Sequence, residues 1–395
     1  MQNPKRLLPL VMTITGMGVL AFSAILPALP DLADELGVSR GSIGWVQGIV
    51  AIPGVFLAAV IGYLADRYGR REVIRASLVV FGVFGLALFF ARDFRLLLLL
   101  RFFQGFGTSG LLSLGVVVIG DIFTGTERRW AMGLNLAALT GVTTLAPIAG
   151  GLLAEGGAFR PFLLYALALP VWIWARKLPD RPEAPPPAPP LRHIRAALSD
   201  LRRRGTLSDF LGVLPMSFIT LGIFLGVGLT VTPLFLESHF GLSSGQRGLV
   251  QAIGSAASST ASILSGRVGR RFSRSATLST SFLLMVAGFV IVGTAPSLWF
   301  VALGLAVLGS GTGSIFPLLQ DYAASAGPAI YRGALVGTWV SANRLGQWLG
   351  PANGTLLADA VGERQSYGVA AATMVVVFVV WRPLRWMARR RVRQG

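Results

Sequence analysis

The chain has 395 residues, of which 53% are hydrophobic and 13% are charged, and its mean hydropathy is +0.66. Soluble domains carry about 25% charged residues, so this composition excludes a soluble globular protein. The sequence has no cysteine, which excludes disulfides, thiolate metal ligands and a cysteine nucleophile. The two histidines, His193 and His239, form no metal-ligand cluster, and we expect neither a metal nor a cofactor.

Apolar runs of about 20 residues, the length that crosses a bilayer, recur about twelve times along the chain. The runs are continuous rather than alternating, and a backbone in lipid must satisfy its own hydrogen bonds, so we expect transmembrane α-helices. We number them as spans 1 to 12 in chain order. The predicted spans are residues 7–30, 42–65, 73–91, 95–121, 131–154, 160–176, 208–236, 246–266, 275–294, 297–320, 333–358 and 366–384.

Basic residues are distributed unevenly between the loops on the two sides of the membrane. With the N-terminus inside, most of the 35 lysines and arginines lie in inner segments. The outer loops hold only Arg40, Arg92, Arg95, Arg160, Arg247 and Arg364. This bias predicts a multi-pass protein of the cytoplasmic (inner) membrane with both termini cytoplasmic. The net charge of +18 then faces the lipid bilayer, and no nucleic-acid partner is expected.

The two halves of the sequence repeat each other at one fixed displacement without a gap. The matching positions include Gly62 and Gly266, Gly105 and Gly309, Gly107 and Gly311, Gly133 and Gly337, and Pro147 and Pro351. A repeat of this kind predicts two parallel halves related by an axis along the membrane normal. The predicted fold class is therefore an all-α integral membrane protein with twelve transmembrane helices in two pseudo-symmetric six-helix bundles.

The predicted domains are an N-terminal bundle (1–176), a cytoplasmic linker (177–206) and a C-terminal bundle (207–395). Within the linker, the proline-rich stretch 182–190 predicts an extended polyproline spacer. Leucine and isoleucine then recur at helical spacing among arginines, which predicts a short amphipathic helix on the inner membrane face. A solvated tether with no further role is the alternative.

Residues Gly62, Asp66, Gly69, Arg70 and Arg71 lie in the inner loop between spans 2 and 3, in the pattern GYLADRYGRR. This pattern resembles the signature loop of the Major Facilitator Superfamily, with the glycines, the acid and the basic pair at that family's spacing. The helix count, the repeat and the central linker extend the resemblance over essentially the whole chain. The resemblance implies a transporter that works as a monomer.

In that family the equivalents of Asp66 and Arg70 form a charge relay with an acid at the inner end of span 4, a place that Asp121 occupies here. The resemblance implies that this cluster latches the two halves on the cytoplasmic side in the outward-open state. The alternative, a turn that only satisfies the positive-inside bias, explains the arginines but not the acid or the glycines. In the second copy Arg270 replaces the acid, so we expect that latch to be lost or asymmetric.

Arg101 and Gln104, in the sequence LRFFQG, resemble the span-4 motif of proton-coupled members of the superfamily. An arginine within a membrane helix is costly to bury and is a functional candidate by default. The resemblance implies a part in proton coupling. The alternative is a structural arginine that binds backbone carbonyls or extends to the outer surface.

Span 5 carries Ala146, Pro147, Gly150 and Gly151, which resemble the end of the antiporter motif typical of exporters in this superfamily. The match is partial, because Ala146 stands where glycine is usual. Small residues at four-residue spacing also let helices approach closely, so packing alone is the alternative explanation.

No acidic residue lies deep within any predicted span. Asp31 and Glu237, at the outer ends of spans 1 and 7, are therefore the remaining candidates for a proton carrier. Arg101 lies near the outer end of span 4, where it could lower the pKa of either carboxylate.

Arg344 is the second arginine within a predicted span, near the middle of span 11. If it faces the central cavity, it would attract an anionic group or hold a coupling network. A polar residue in a span more often bonds a neighbouring helix than a ligand, and this alternative applies to every cavity candidate. The candidates are Trp45, Gln47, Asn135, Gln251, Trp339, Asn343, Arg344, Gln347 and Trp348.

These observations predict a secondary active transporter, with proton-coupled efflux of amphipathic small molecules by alternating access as the leading function. The absence of a central acid favours neutral, zwitterionic or anionic substrates of drug-like size. The alternative is an uptake or exchange carrier for an organic anion anchored by Arg344. The expected partners are the lipid bilayer, a small-molecule substrate and protons. No enzyme is expected, because the chain has no GxxxxGK[ST] phosphate loop and no nucleophile–base pair within its spans.

Overall fold

The computed structural model describes residues 4–179, 190–328 and 331–392, and all regular structure in these ranges is helical. Each of the twelve predicted spans coincides with a helix or a broken helix of these ranges. The α-helices are α1 (Pro4–Ser23), α2 (Leu29–Leu36), α3 (Gly44–Gly48), α4 (Ile52–Tyr68), α5 (Arg70–Ala87), α6 (Phe94–Ile122), α7 (Gly125–Ala154), α8 (Ala168–Trp174), α9 (Pro190–Arg203), α10 (Leu207–Ile223), α11 (Thr232–Phe240), α12 (Ser244–Arg271), α13 (Arg274–Thr294), α14 (Leu298–Ser325), α15 (Arg332–Val361) and α16 (Glu363–Val392).

Four of the spans are broken helices. In span 1, the 3-10 turn Leu26–Ala28 joins α1 to α2, with prolines at the start of both the turn and α2. In span 2, the 3-10 turn Ile49–Ala51 joins α3 to α4. In span 6, the 3-10 segment Arg160–Leu167 leads into the short α8. In span 7, the π-helix Phe224–Val231 joins α10 to α11, and Pro233 follows it without an N–H to donate.

The start of α6 is fixed by a side-chain cap. Asp93 accepts a hydrogen bond from the backbone N–H of Leu96 at 2.8 Å, and Ser273 caps α13 in the same way through Ala276 at 3.1 Å. Such caps satisfy donors that a helix leaves free at its first turn, so they set where these spans begin.

Seven helices of the described residues are long and apolar enough to cross a membrane, and an eighth qualifies if the two bent parts of span 2 count as one. The helix α15 lies outside this set, and it carries Arg344. Length and composition therefore support the membrane assignment directly for most of the predicted spans.

The chain divides into two compact units. Unit 1 contains Met1–Pro186 together with Pro233–Ala252, which holds most of α11 and the first turns of α12. Unit 2 contains Pro187–Thr232 and Ile253–Gly395. The first half of the sequence thus packs together with a short piece of the second half, while the division at the 177–206 linker stays a prediction.

The linker helix α9 packs its apolar side onto unit 2. Ala197 and Leu201 are each 1% exposed, whereas Arg195, Arg202 and Arg203 are exposed. Close by, the hydroxyl of Thr206 donates to a backbone carbonyl at 3.1 Å. The predicted polyproline spacer lies outside the described residues, apart from Pro190 at the start of α9.

Candidate functional site

The predicted charge cluster forms at the end of unit 1 where α4 meets α5. Arg70 makes an ion pair with Asp121 and a second one, at 3.5 Å, with Asp66. We call Asp66, Arg70 and Asp121 the Asp66 cluster. Gly69 makes its geometry possible, because this residue joins α4 to α5 with φ of +89°, a value that side-chain-bearing residues rarely adopt. The cluster therefore ties together the ends of α4, α5 and α6.

The other two residues of the motif lie outside this cluster. Arg71 pairs with its neighbour Glu72 at 3.0 Å, and nothing lies within 4 Å of the position that a side chain on Gly62 would occupy. The alternative explanation of the motif, a turn that only satisfies the positive-inside bias, accounts for Arg71. It does not account for Arg70, which lies between the carboxylates of Asp66 and Asp121.

Unit 2 has an ion pair at the repeat position of Arg70. Arg274, the repeat of Arg70, contacts Asp321 at 2.8 Å. Both side chains are about half exposed, whereas Arg70 and Asp121 are 24% and 21% exposed. The side chain of Arg270 is outside the described part of the structure. In the described part of unit 2, Arg274 thus pairs with one acid, whereas Arg70 pairs with two. The sequence repeat did not indicate this pair, because Asp321 does not align with Asp121.

Arg101 lies at 0% exposure inside unit 1 and is fully hydrogen-bonded. Its three nitrogens donate to two backbone carbonyls, two side-chain amides and a phenol, which matches the five N–H groups of a guanidinium. The acceptors are Val46 O (3.0 Å), Ala21 O (3.1 Å), Gln104 Oε1 (2.8 Å), Tyr165 Oη (3.3 Å) and Gln47 Oε1 (3.5 Å). This corresponds to the structural alternative for Arg101.

The two carbonyls lie beside breaks in their helices, which explains why an arginine is needed there. Ala21 stands next to the end of α1 at Ser23, and Val46 precedes the 3-10 turn at Ile49. Carbonyls near helix breaks lose regular partners, and in a membrane they must find others. Arg101 therefore joins spans 1, 2, 4 and 6 rather than presenting a free charge to a cavity.

Neither of the two proton-carrier candidates pairs with Arg101. Asp31 pairs with Arg247, and Glu237 pairs with Arg40. Arg247 is 1% exposed, although its position in the sequence indicates an outer loop. Among the described residues, Arg101 and Arg247 are the buried charged side chains, and no carboxylate is buried. In the sequence, the one sign of the Asp31–Arg247 pair is that Arg247 stands alone at the start of an apolar run.

The span-5 motif serves close helix packing within unit 1. A side chain on Gly150 would stand 1.7 Å from the carbonyl oxygen of Ala24, and one on Gly151 would stand 2.3 Å from that of Ser244. Both distances are far below van der Waals contact. Ala146 and Pro147 are buried beside them. Packing thus accounts for the glycines, and the link to export stays a prediction.

Several of the predicted cavity residues are bound to neighbouring helices. Gln47 donates to the carbonyl of Phe22 and accepts from Arg101, while the hydroxyl of Thr15 donates to Asn135 at 2.7 Å. Trp339 donates through Nε1 to the hydroxyl of Ser217 at 2.8 Å. Two further candidates in unit 1 are Trp45, which is half-buried, and Gln251, which is 3% exposed.

The remaining candidates lie within two turns of α15 and keep unused hydrogen-bonding groups. Arg344 is half-buried and donates one hydrogen bond, to Gln347 at 2.8 Å. The Oδ1 atom of Asn343 and the Nε1 atom of Trp348 are buried without a partner among the described residues. Buried polar groups are normally paired, so this stretch of α15 is suited to contact a ligand.

A family model describes almost the whole chain. The model of the Major Facilitator Superfamily matches residues 11–243 and 216–394. The chain belongs to the Major Facilitator Superfamily. Its all-α architecture is the fold of that superfamily, as the loop at Gly62 and the repeat predicted.

Relatives of this superfamily chain include an exporter, a probable nitrate transporter and a drug-resistance protein. It is 25% identical to the bacillibactin exporter of Bacillus subtilis (strain 168), over 79% of this chain and 78% of the relative. It is 27% identical to the probable nitrate transporter NarT of Staphylococcus carnosus (strain TM300), over 77% and 78%. It is 25% identical to the class B tetracycline resistance protein of Escherichia coli, over 87% and 86%.

Solved structures of the superfamily share its fold. A mutant of the nucleoside transporter NupG superposes with a TM-score of 0.81 at 14% identity, over 96% of this chain and 99% of that one. The family members and structural neighbours are membrane transporters, so the chain is a multi-pass membrane transporter.

Proposed function

We propose that this transporter exports amphipathic small molecules that carry an anionic or hydrogen-bond-accepting group, by alternating access and in exchange for protons. Two of the relatives support export, because their names describe a bacillibactin exporter and a tetracycline resistance protein. The inner membrane, with both termini in the cytoplasm, is the proposed location, since the basic residues concentrate on one side of the spans.

One observation carries the substrate class: Arg344 is an arginine in the middle of α15 with a single hydrogen bond, in a structure whose described residues bury no carboxylate. A guanidinium presents five donors and binds carboxylates or other anionic groups in two-pronged fashion. Trp348 adds a further donor within one turn of the helix. A site with this charge attracts anions and repels cations.

A second candidate function is the uptake or exchange of an organic anion held by Arg344. The same half-buried arginine favours it, and one relative is named as a probable nitrate transporter, a carrier of an anion. Export and uptake share the proposed anchor and differ in the direction of net flux.

Inside-out membrane vesicles separate these two functions. We propose to energise vesicles so that their lumen becomes acidic and to follow anilinonaphthalene sulfonate, an anionic amphiphile, beside a cationic rhodamine ester. Export predicts accumulation of the anionic dye in the lumen and its loss when the pH gradient is collapsed. Accumulation in right-side-out vesicles instead would support uptake, and preference for the cationic dye would contradict the substrate class.

Matched variants connect the flux to the proposed anchor. Arg344→Gln removes the charge and should abolish most transport of the anionic dye, while Arg344→Lys retains the charge but loses the two-pronged geometry and should raise KM. Arg195→Gln removes an exposed arginine of the same unit and should leave transport unchanged. Equal transport by all three variants would show that Arg344 does not hold the substrate.

A further inference from the structure

Arg247 is a buried cation whose charge is only partly satisfied. It lies in the first turn of α12, and its Nη2 atom pairs with Oδ2 of Asp31. Its Nε and Nη1 atoms are buried and have no hydrogen-bond partner among the described residues. Asp31 is the carboxylate that forms an ion pair with Arg247 in the described structure, so we expect the burial of Arg247 to depend on the charge of Asp31.

The helix that carries Arg247 is held tightly against α7. A side chain on Gly248 would stand 2.3 Å from the carbonyl oxygen of Pro147. The hydroxyl of Ser243, just before α12, donates to Glu155 at 3.0 Å. These contacts hold the start of α12 beside α7, so we expect exposure of the Arg247 side chain to require movement of this part of α12.

Other charges lie within electrostatic reach of Asp31. They are Glu237 from α11, which pairs with Arg40, and Asp34 from α2 itself. Partial burial of the Asp31 carboxylate favours its neutral form most, and the negative charges of Glu237 and Asp34 add to this effect, while Arg247 opposes it. The side chains of Asp31 and Glu237 are similarly exposed, at 38% and 31%, but their arginines differ. Arg40 is 35% exposed and can be solvated when its partner is neutral, whereas Arg247 is 1% exposed, so the charge of Asp31 matters more.

We propose that the Asp31–Arg247 pair is the proton-coupling switch of this transporter, with Arg247 as the residue that converts protonation into movement. A proton from the solution binds the Asp31 carboxylate and forms the neutral acid, and no other reactant is needed. Arg247 then remains as a buried cation without a counter-charge, which favours separation of the start of α12 from α7. Release of the proton restores the pair and closes this end of unit 1. The inference rests on the proposed proton-coupled function.

Cysteine labelling tests the movement directly, because the chain has no cysteine of its own. Ser244→Cys places a thiol at a residue that is 4% exposed between α12 and α7. In proteoliposomes, its reaction with a maleimide should accelerate as the pH falls. The rate is divided by that of Ser39→Cys, an exposed serine, to correct for thiol ionisation.

Variants of the pair give the decisive comparison. Asp31→Asn should make labelling of Ser244→Cys roughly tenfold faster at neutral pH and independent of pH. Arg247→Gln removes the buried cation, so labelling should also become independent of pH but without that acceleration. Asp34→Asn removes an exposed acid on the same helix that favours protonation of Asp31, so labelling should still depend on pH, with its midpoint moved to lower pH. Labelling that does not depend on pH in the parent, or that still depends on pH in Asp31→Asn, would overturn the switch.

Transport in the same proteoliposomes separates this proposal from the proposed function. Anilinonaphthalene sulfonate flux driven by a pH gradient in the parent, retained in Asp31→Asn, would refute the switch and leave proton-coupled export standing. Flux in the parent that ignores the pH gradient, together with pH-dependent labelling, would refute proton coupling and leave Asp31–Arg247 as a pH-sensitive gate. Loss of gradient-driven flux in Asp31→Asn, with flux down a dye gradient retained, is the expected result.

Discussion

Arg274 contacts Asp321 at 2.8 Å, although the repeat aligns Arg274 with Arg70 but aligns Asp121 with Ser325. Asp321 lies one helical turn before the position on α14 that corresponds to Asp121, and it still contacts the arginine that corresponds to Arg70. Duplication has therefore preserved an ion pair at this end of each unit while the residues around it have changed.

The two ion pairs should differ in importance. Asp121→Asn should impair transport by roughly tenfold, because Arg70 lies between two carboxylates and all three side chains are about three-quarters buried. Asp321→Asn should change transport by less than about twofold, since exposed pairs contribute only ~0–1 kcal/mol. Flux in proteoliposomes at equal protein content gives the comparison, and an equal loss in both variants would contradict it.

Much of the fold follows from the sequence because continuous apolar runs permit little other than membrane helices. The repeat and the GYLADRYGRR loop then indicate the superfamily, and the resemblance to that superfamily implies that Asp66, Arg70 and Asp121 lie together. The contact between Asp66 and Arg70 is local, whereas the contact with Asp121 on α6 was implied by the resemblance and not by spacing.

The pairing of buried charges did not follow from the sequence. Arg101 and Asp31 both lie near the same end of their spans, but rotation of each helix decides that one meets carbonyls and the other meets Arg247. A shift of one residue turns a helical side chain by about 100°, and the sequence pattern does not determine rotation that finely. Arg247 was assigned to a loop for the same reason, since its burial depends on contacts from α2 and α7.

We expect Arg101 to contribute to the stability of the fold rather than to proton coupling. Arg101→Gln removes the guanidinium and leaves the carbonyls of Val46 and Ala21 buried without donors, so we expect a loss of about 3–5 kcal/mol. Arg101→Lys offers three donors for five acceptors and should recover only part of this. The midpoint of thermal unfolding in detergent measures both.

Arg95→Gln provides the control, because Arg95 is exposed on the same helix α6. It should leave the unfolding midpoint unchanged. If Arg101→Gln proved as stable as the parent but lost pH-gradient-driven flux, Arg101 would act in coupling after all, as its resemblance to the span-4 motif implies.

The glycines of α7 offer a matched test of close packing. Gly150→Ala would place a methyl group against the carbonyl oxygen of Ala24, just after the end of α1. This segment and α7 must then separate, and stability should fall by about 1–3 kcal/mol. Gly141→Ala and Gly133→Ala meet nothing within 4 Å on the same helix and should be neutral or slightly stabilising, since alanine favours helix by about 1 kcal/mol. Thermal unfolding ranks the three variants, and equal midpoints would mean that α1 and α7 are not in contact.

Two tryptophans of α15 distinguish a ligand contact from a structural hydrogen bond. Trp348→Phe removes an Nε1 donor that has no partner among the described residues, so it should leave stability unchanged and raise the KM for the anionic dye roughly three- to tenfold. Trp339→Phe breaks the bond to Ser217 and should cost about 0.5–1.5 kcal/mol of stability with little change in KM. Flux measured over a range of dye concentrations, beside thermal unfolding, separates the two effects. If Trp348→Phe lowered stability and left KM unchanged, its indole would be part of the helix packing, and Arg344 would have to bind the anion without it.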